Sequence, residues 1–355
     1  MPGPMSEDIP GVHADAVSRW LVTLGHQVAA PLRFQRIGLG QSNLTYRVTD
    51  AAGRAWVLRR TPLGHLLASA HDVVREARIM AALAETDVPV PRILGVTTDS
   101  EFSEAPLVLM EFVDGLVVDT MEVAEALTPR QRRQIALSLP RTLAKIHAVD
   151  LAKVGLDDLA SHKPYAQRQL KRWAGQWELS KTRELPELDD LTRRLVAAAP
   201  EQREISLVHW DFHLRNLITS PETGAVVATL DWELSTLDDP LADMGSLLTY
   251  WMEPGESGVG DFAPSTLDGF PDRAEMTRLY LEETGRDPAA LQYWHVLGLW
   301  KLAIIAEGVM RRAMDEPQNK ASEGTPTVAW IDARVHMARE IADAAGMNQA
   351  SDSAS

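Results

Sequence analysis

The stretch Leu207-Val-His-Trp-Asp-Phe-His-Leu-Arg-Asn-Leu217, followed shortly by Ala228-Thr-Leu-Asp-Trp-Glu233, decides the reading of this chain. Its centre is an H-x-D-x-x-x-x-N segment between apolar flanks, and the later stretch ends an apolar run on an aspartate. This is the layout of a phosphoryl-transfer site. One aspartate takes the proton of a hydroxyl, while an asparagine and a second aspartate hold the metal that screens a triphosphate. Asp211 is the expected proton acceptor, and Asn216 and Asp231 are the expected Mg2+ ligands. Little covalent chemistry is asked of such a site, because alignment and charge neutralisation carry the step.

Working outward, further elements arrive in the order this chemistry needs. Gly38-Leu-Gly-Gln-Ser-Asn43 puts a flexible turn between the strand patterns 32–37 and 44–48. There, after Gly40, the backbone N–H groups of Gln41, Ser42 and Asn43 can approach phosphate oxygens; a plain hairpin turn is the alternative. Arg59 ends the next strand, where a phosphate-pairing cation is expected, and Glu76 follows on the helix 71–83, where its carboxylate partner belongs. His209 is expected to hold the loop through backbone hydrogen bonds. His209-x-Asp211 also matches half of a facial iron triad, but the remaining candidate ligand, His295, lies in a helical pattern. Asp238-Asp-Pro-Leu-Ala-Asp243 reads as a helix start, where carboxylates meet unpaired N–H groups.

The bulk composition limits the alternatives. The chain has 355 residues, 45% hydrophobic and 24% charged, as expected of a soluble globular protein with sizeable cores. Its formal net charge of −15 argues against nucleic acid or an anionic membrane surface as partner. Without cysteine there is no disulfide framework, thiolate metal site or cysteine nucleophile. The first residues lack a basic segment followed by an apolar one, and no apolar run approaches a membrane span, so a cytoplasmic protein is expected.

Hydrophobic periodicity divides the chain. Residues 1–30 read as a leader with a helix at 14–24, and 31–113 as a nucleotide-binding lobe of antiparallel strands with one helix. Residues 114–345 read as a larger, mostly helical lobe with helices at 128–149, 162–179, 189–199 and 288–314, and 346–355 as a disordered tail. The expected class is α+β, two lobes with a cleft between them.

With these residues in place, the chain resembles the aminoglycoside phosphotransferase family, a branch of the protein-kinase-like fold. The markers are the Gly-x-Ser-Asn turn at 40–43, the His209–Asn216 loop, Leu230-Asp-Trp-Glu233 and Asp239-Pro-Leu-Ala-Asp243. The resemblance implies ATP and Mg2+, with adenine against the turn after Met110 and hydrogen-bonded by backbone at Glu111 and Val113. More narrowly, the chain is similar to the branch found fused to some acyl-CoA dehydrogenases, through Val57-Leu-Arg-Arg60, Ser69-Ala-His-Asp-Val-Val-Arg-Glu76 and Gln167-Arg-Gln-Leu-Lys-Arg-Trp173. That branch implies a hydroxyacyl-CoA acceptor, notably of the 4-hydroxyacyl type. Two positions depart from the family: Trp210 stands where glycine is common, and Arg59 where lysine is usual.

The segment 165–177 bears on the acceptor. Arg168 and Arg172 share one helical face, as do Trp173 and Trp177. A cationic stripe beside aromatic surface suits the phosphates and adenine of coenzyme A, whereas a solvated charged face over core tryptophans is the plainer reading. The expectation is a small-molecule kinase, a monomer or homodimer, that acts on a hydroxyl of a CoA thioester. An aminoglycoside or macrolide kinase is the second reading, and a catalytically silent kinase fold the third.

Overall fold

In the computed structural model, residues 5–6, 9–38, 43–63, 73–159, 165–201, 204–256, 260–315 and 325–347 are described. Gly40, Gln41 and Ser42 of the expected phosphate turn, and the expected tail beyond Met347, lie outside them. The chain forms two compact units, one of residues 1–115 with 227–234, the other of residues 116–226 with 235–355.

The first unit is built on one antiparallel sheet. Its elements are β1 (Met5–Ser6), α1 (Ala14–Thr23), β2 (Arg33–Ile37), β3 (Leu44–Thr49), β4 (Ala55–Arg60), α2 (Val73–Leu83), β5 (Ile93–Thr97) and β6 (Leu107–Glu111). The strand order is β1-β2-β3-β4-β6-β5. The two-residue β1 is too short to carry an alternating pattern, which is why sequence reading misses it. Register places Phe34 opposite Val48 and Val48 opposite Trp56, with Leu58 between Tyr46 and Leu109. These side chains share one face of the sheet and bury with Val17 and Leu21 of α1, so the leader helix belongs to this core. Because side chains alternate, Arg59 stands on the opposite face, directly across from Thr45.

The second unit contains α3 (Met121–Glu125), α4 (Pro129–His147), α5 (Leu151–Val154), α6 (Tyr165–Ser180), α7 (Pro186–Ala197), β7 (Ser206–Val208) and β8 (Leu217–Thr219). The chain then passes through β9 (Val226–Thr229), mostly part of the first unit, to β10 (Thr236–Asp238), α8 (Pro240–Tyr250), α9 (Arg273–Thr284), α10 (Pro288–Asp315) and α11 (Val328–Ala344). α4 opens with Thr128 and Gln131 capping each other's backbone, and with Pro129, whose missing N–H costs nothing there. α7 starts at Pro186, ahead of the expected 189, for the same reason. α10 is the spine, packed against α6, α7, α8 and α11. Its closest neighbour is possible because Gly245 on α8 faces Trp294 on α10: a Cβ there would lie 2.6 Å from the Trp294 carbonyl carbon. Among the described residues no helix is long and apolar enough to cross a membrane.

Candidate active site

The catalytic loop leaves β7, which pairs antiparallel with β10 and buries Leu207 and Val208. Phe212 is buried two positions after Trp210 and anchors the loop, which then turns through a short 3-10 segment, Leu214–Asn216. Trp210 takes a left-handed backbone, φ 67°. The family's usual glycine adopts that conformation without strain, whereas tryptophan does so only because its surroundings hold it.

Asp243 supplies that hold. Its two oxygens accept the backbone N–H of His209 at 2.6 Å and of Trp210 at 2.8 Å. The helix start is instead capped by Asp239, which accepts the Leu241 amide at 2.9 Å. The same Asp243 oxygen lies 3.2 Å from His147 Nε2, while Tyr280 Oη lies 2.7 Å from His147 Nδ1. Burial lowers the His147 pKa, so the imidazole is neutral. A carboxylate only accepts, so the proton sits on Nε2 facing Asp243, and Nδ1 accepts the Tyr280 hydroxyl. His209 holds the loop from within, its Nδ1 accepting the Asp211 amide at 3.2 Å.

Asp211 is surrounded by donors. His213 Nε2 lies 3.1 Å from Oδ1, and the Asn216 amide donates to Oδ2 at 2.7 Å and to the Asp211 carbonyl at 2.9 Å. Burial alone raises such a carboxyl, but the His213 hydrogen bond, the electrostatic pull of the nearby His213 and His209 rings and the Asn216 amide outweigh it and hold Asp211 at about 2. The carboxylate is therefore ionised and fixed in orientation at neutral pH. His213, given no role by sequence, is thus the first partner of the proposed base, and its ring packs edge-on to Tyr250 at 5.7 Å.

The first unit holds a second constellation. Arg59 donates through Nε to Glu76 at 2.8 Å, through Nη1 to Thr45 at 3.1 Å and through Nη2 to Asp231 at 2.6 Å. Glu76 also accepts the Trp232 amide at 3.2 Å. Burial lowers the Arg59 pKa, but Glu76 and Asp231 more than restore it, so the guanidinium stays charged. Asp231 has a left-handed backbone, φ 64°, and the Trp232 indole after it is fully buried, donating to the Thr229 carbonyl at 2.9 Å. Asn43 donates to Glu233 at 3.2 Å. β6 ends at Glu111, whose N–H donates to the Arg92 carbonyl at 2.9 Å; Val113 lies two residues beyond the strand.

The structure thus joins Arg59, Glu76 and Asp231 in one unit, and Asp211 and Asn216 in the other. Among the described residues no group of three His, Cys, Asp or Glu could hold a metal. Mg2+ takes one or two protein oxygens together with substrate phosphates and water. Asp231 Oδ2 and Asn216 Oδ1 make no hydrogen bond among the described residues and are oxygen donors of the right kind.

On α6 the expected residues separate. Arg168 reaches Asp238 at 3.9 Å, and Trp177 is a core residue whose indole N–H donates to Asp189 at 3.1 Å. Trp173 is half-buried, with Arg172 5.2 Å from its ring centroid. It stands near a narrow recess of about 20 Å³, lined by residues including Gln169, Trp210, Ser246, Tyr250, Leu297 and Lys301. Lys301 is the residue sequence reading missed. The one available signal was a lysine spaced with Trp294, Leu297 and Ile305 on an inward face of α10.

A profile of the phosphotransferase enzyme family matches residues 33–279, and the chain belongs to that family. It is 35% identical over 330 residues to acyl-CoA dehydrogenase family member 10 of Mus musculus, covering 89% of this chain and 31% of that protein. The chain spans about a third of the length of the curated relatives it matches. A solved structure from Ralstonia eutropha, provisionally named an aminoglycoside phosphotransferase, is 31% identical with a TM-score of 0.71, covering 94% of this chain and 97% of that one. The macrolide 2′-phosphotransferase of Brachybacterium faecium, 20% identical with a TM-score of 0.57 over 90% of this chain and 97% of that one, shares the fold. The chain is an α+β, kinase-like, small-molecule phosphotransferase, a class that uses ATP.

Proposed function

We propose that the protein transfers the γ-phosphoryl group of ATP, with Mg2+, to a hydroxyl of a CoA thioester of the 4-hydroxyacyl type. The phosphotransfer reading is carried by Asp211, an ionised carboxylate oriented by His213 and Asn216 on a loop clamped by Asp243. Asp211 orients the acceptor hydroxyl and takes its proton as the new O–P bond forms and the bond to the β-phosphate oxygen breaks, releasing ADP. Asn216 and Asp231 would hold the magnesium, which neutralises phosphate charge when bound. Arg59, held by Glu76, faces the triphosphate charge, with Gly40, Gln41, Ser42 and Asn43 offering backbone donors and Glu111 and Val113 the adenine contacts.

The CoA acceptor is supported by Arg172 against Trp173 and by the names of the similar curated proteins. A polycationic antibiotic is the less favourable acceptor, since Arg172 and Lys301 put positive charge where it would bind. Steady-state ATP turnover with hydroxyacyl-CoAs, aminoglycosides and macrolides tests the choice. Turnover with hydroxyacyl-CoA, abolished by Asp211→Asn with ATP binding retained, is expected. Turnover confined to antibiotics would overturn the acceptor assignment.

A further inference from the structure

The recess beside the catalytic loop contains a cation that the phosphotransfer chemistry leaves unused. Lys301 projects from α10 with its Nζ 5.6 Å from the Trp173 ring centroid and 5.7 Å from that of Trp210. Two indoles from separate elements, α6 and the loop, therefore grip one ammonium group. Among the described residues it makes no hydrogen bond and no ion pair. The charged and titratable groups around it are Arg172 on α6, Asp211 on the loop and Tyr250 on α8. Of these only Asp211 attracts it, and that carboxylate is already committed to His213 and Asn216.

An ammonium ion offers three donors, and aromatic faces satisfy charge without accepting directional hydrogen bonds. Lys301 thus carries donor capacity toward the recess, within electrostatic reach of the proposed base. Resting on the reading of this site as the acceptor site, we infer that Lys301 is the specificity-determining residue for the acceptor. It donates to an electron-rich oxygen, a thioester carbonyl or a carboxylate, carried a few carbons from the hydroxyl that meets Asp211. The Trp173 and Trp210 faces fix where that oxygen lies by fixing the ammonium group. The same charge, reinforced by Arg172, works against an acceptor that carries its own ammonium groups near the reacting hydroxyl.

Burial and the Arg172 charge lower the Lys301 pKa below the ordinary lysine value of 10.5, while Asp211 pulls it back up. The recognition therefore titrates. It is lost as pH rises through the lowered lysine pKa. Burial moves the Tyr250 hydroxyl well above its ordinary value.

The test uses the full chain with ATP and three acceptor sets: 4-hydroxyacyl-CoAs, the free 4-hydroxycarboxylates and an aminoglycoside. Lys301→Gln is expected to raise the acceptor KM by roughly tenfold or more, the scale of one lost charged hydrogen bond, with the ATP KM unchanged. Lys301→Arg is expected to recover part of the loss and to move the alkaline limb of acceptor kcat/KM upward, a response that a packing role for the side chain does not give. Should Lys301→Gln fail to fold, that limb in the native protein and in Lys301→Arg decides the question. An acceptor KM unmoved in Lys301→Gln, or an alkaline limb unmoved in Lys301→Arg, would overturn the inference while leaving the CoA reading intact. Preference for free hydroxycarboxylates with Lys301→Gln impaired would end the CoA reading and support the lysine. Preference for the aminoglycoside would end both.

Discussion

Asp243 accepts the backbone N–H of His209 at 2.6 Å, so an acid on α8, not the loop itself, sets the path of the chain leading to Asp211. Its other oxygen accepts the Trp210 amide at 2.8 Å. Asn in its place keeps the shape but turns an NH2 group toward one of two buried amides. Asp243→Asn should cost about 2–4 kcal/mol in urea unfolding, through an unsatisfied buried donor and a lost charged hydrogen bond. It should also lower kcat at least as steeply as it lowers stability. Full activity in a destabilised variant would show that the clamp is structural only.

Arg59 serves Glu76, Thr45 and Asp231 at once, which a lysine cannot do from one nitrogen with the same geometry. Arg59→Lys should therefore lose about 1–3 kcal/mol of stability despite restoring the family's usual residue. Arg59→Met removes the cation from Glu76, whose carboxyl burial already raises to about 7; the buried acid then takes up a proton, and the lost charged hydrogen bonds should cost about 2–4 kcal/mol. Both should raise the ATP KM. Equal stability of the native protein and Arg59→Met, by denaturant titration, would rule this account out.

Asp238 brings a pH dependence. Burial, with Asp239 and Asp243 nearby, raises its pKa from 3.8 to about 7, despite the Asp239 amide and Arg168. A carboxyl raised on folding binds its proton more tightly in the native state. Its stability contribution is thus complete below about pH 4 and is lost as pH rises toward 7. Asp238→Asn should remove this decline and exceed the native protein above pH 7 by roughly 1–3 kcal/mol. Melting temperatures measured from pH 4 to 8 would reveal it; parallel curves would disprove it.

Trp210 trades backbone strain for a wall of the acceptor recess. A non-glycine residue in the left-handed region costs roughly 1–2 kcal/mol, so Trp210→Gly should melt near or above the native temperature even as it loses the indole packing. The acceptor KM should rise, because Lys301 then faces one ring in place of two. A large drop in stability with KM unchanged would mean that the indole serves packing alone.

What sequence shows here is local. The helix at 128–149 and the strands before Arg59 each lie within a short window whose periodicity indicates their type, whereas the H-x-D-x-x-x-x-N segment draws its reading from the elements arriving in order around it. Arg59 and Glu76 could be matched because strand end and helix follow each other directly. The partnership of Asp243 with the loop amides was hidden, since an acid three residues after a proline at a helix start reads as part of its own cap. Lys301 was hidden for a different reason. It stands 90 positions after Asp211, and only the packing of α10 on α8 and α6 gives an inward lysine a meaning.

Gly245, the contact through which α8 lies on α10, couples two groups that the chemistry uses separately. The loop clamp Asp243 stands on α8 and the cation Lys301 on α10, and the two helices meet closely at Gly245. On the proposed roles, moving α10 against α8 to change acceptor would disturb the proposed base as well. On the proposed reading, new preferences arise by exchanging wall residues such as Gln169 and Trp210, leaving the frame as it stands.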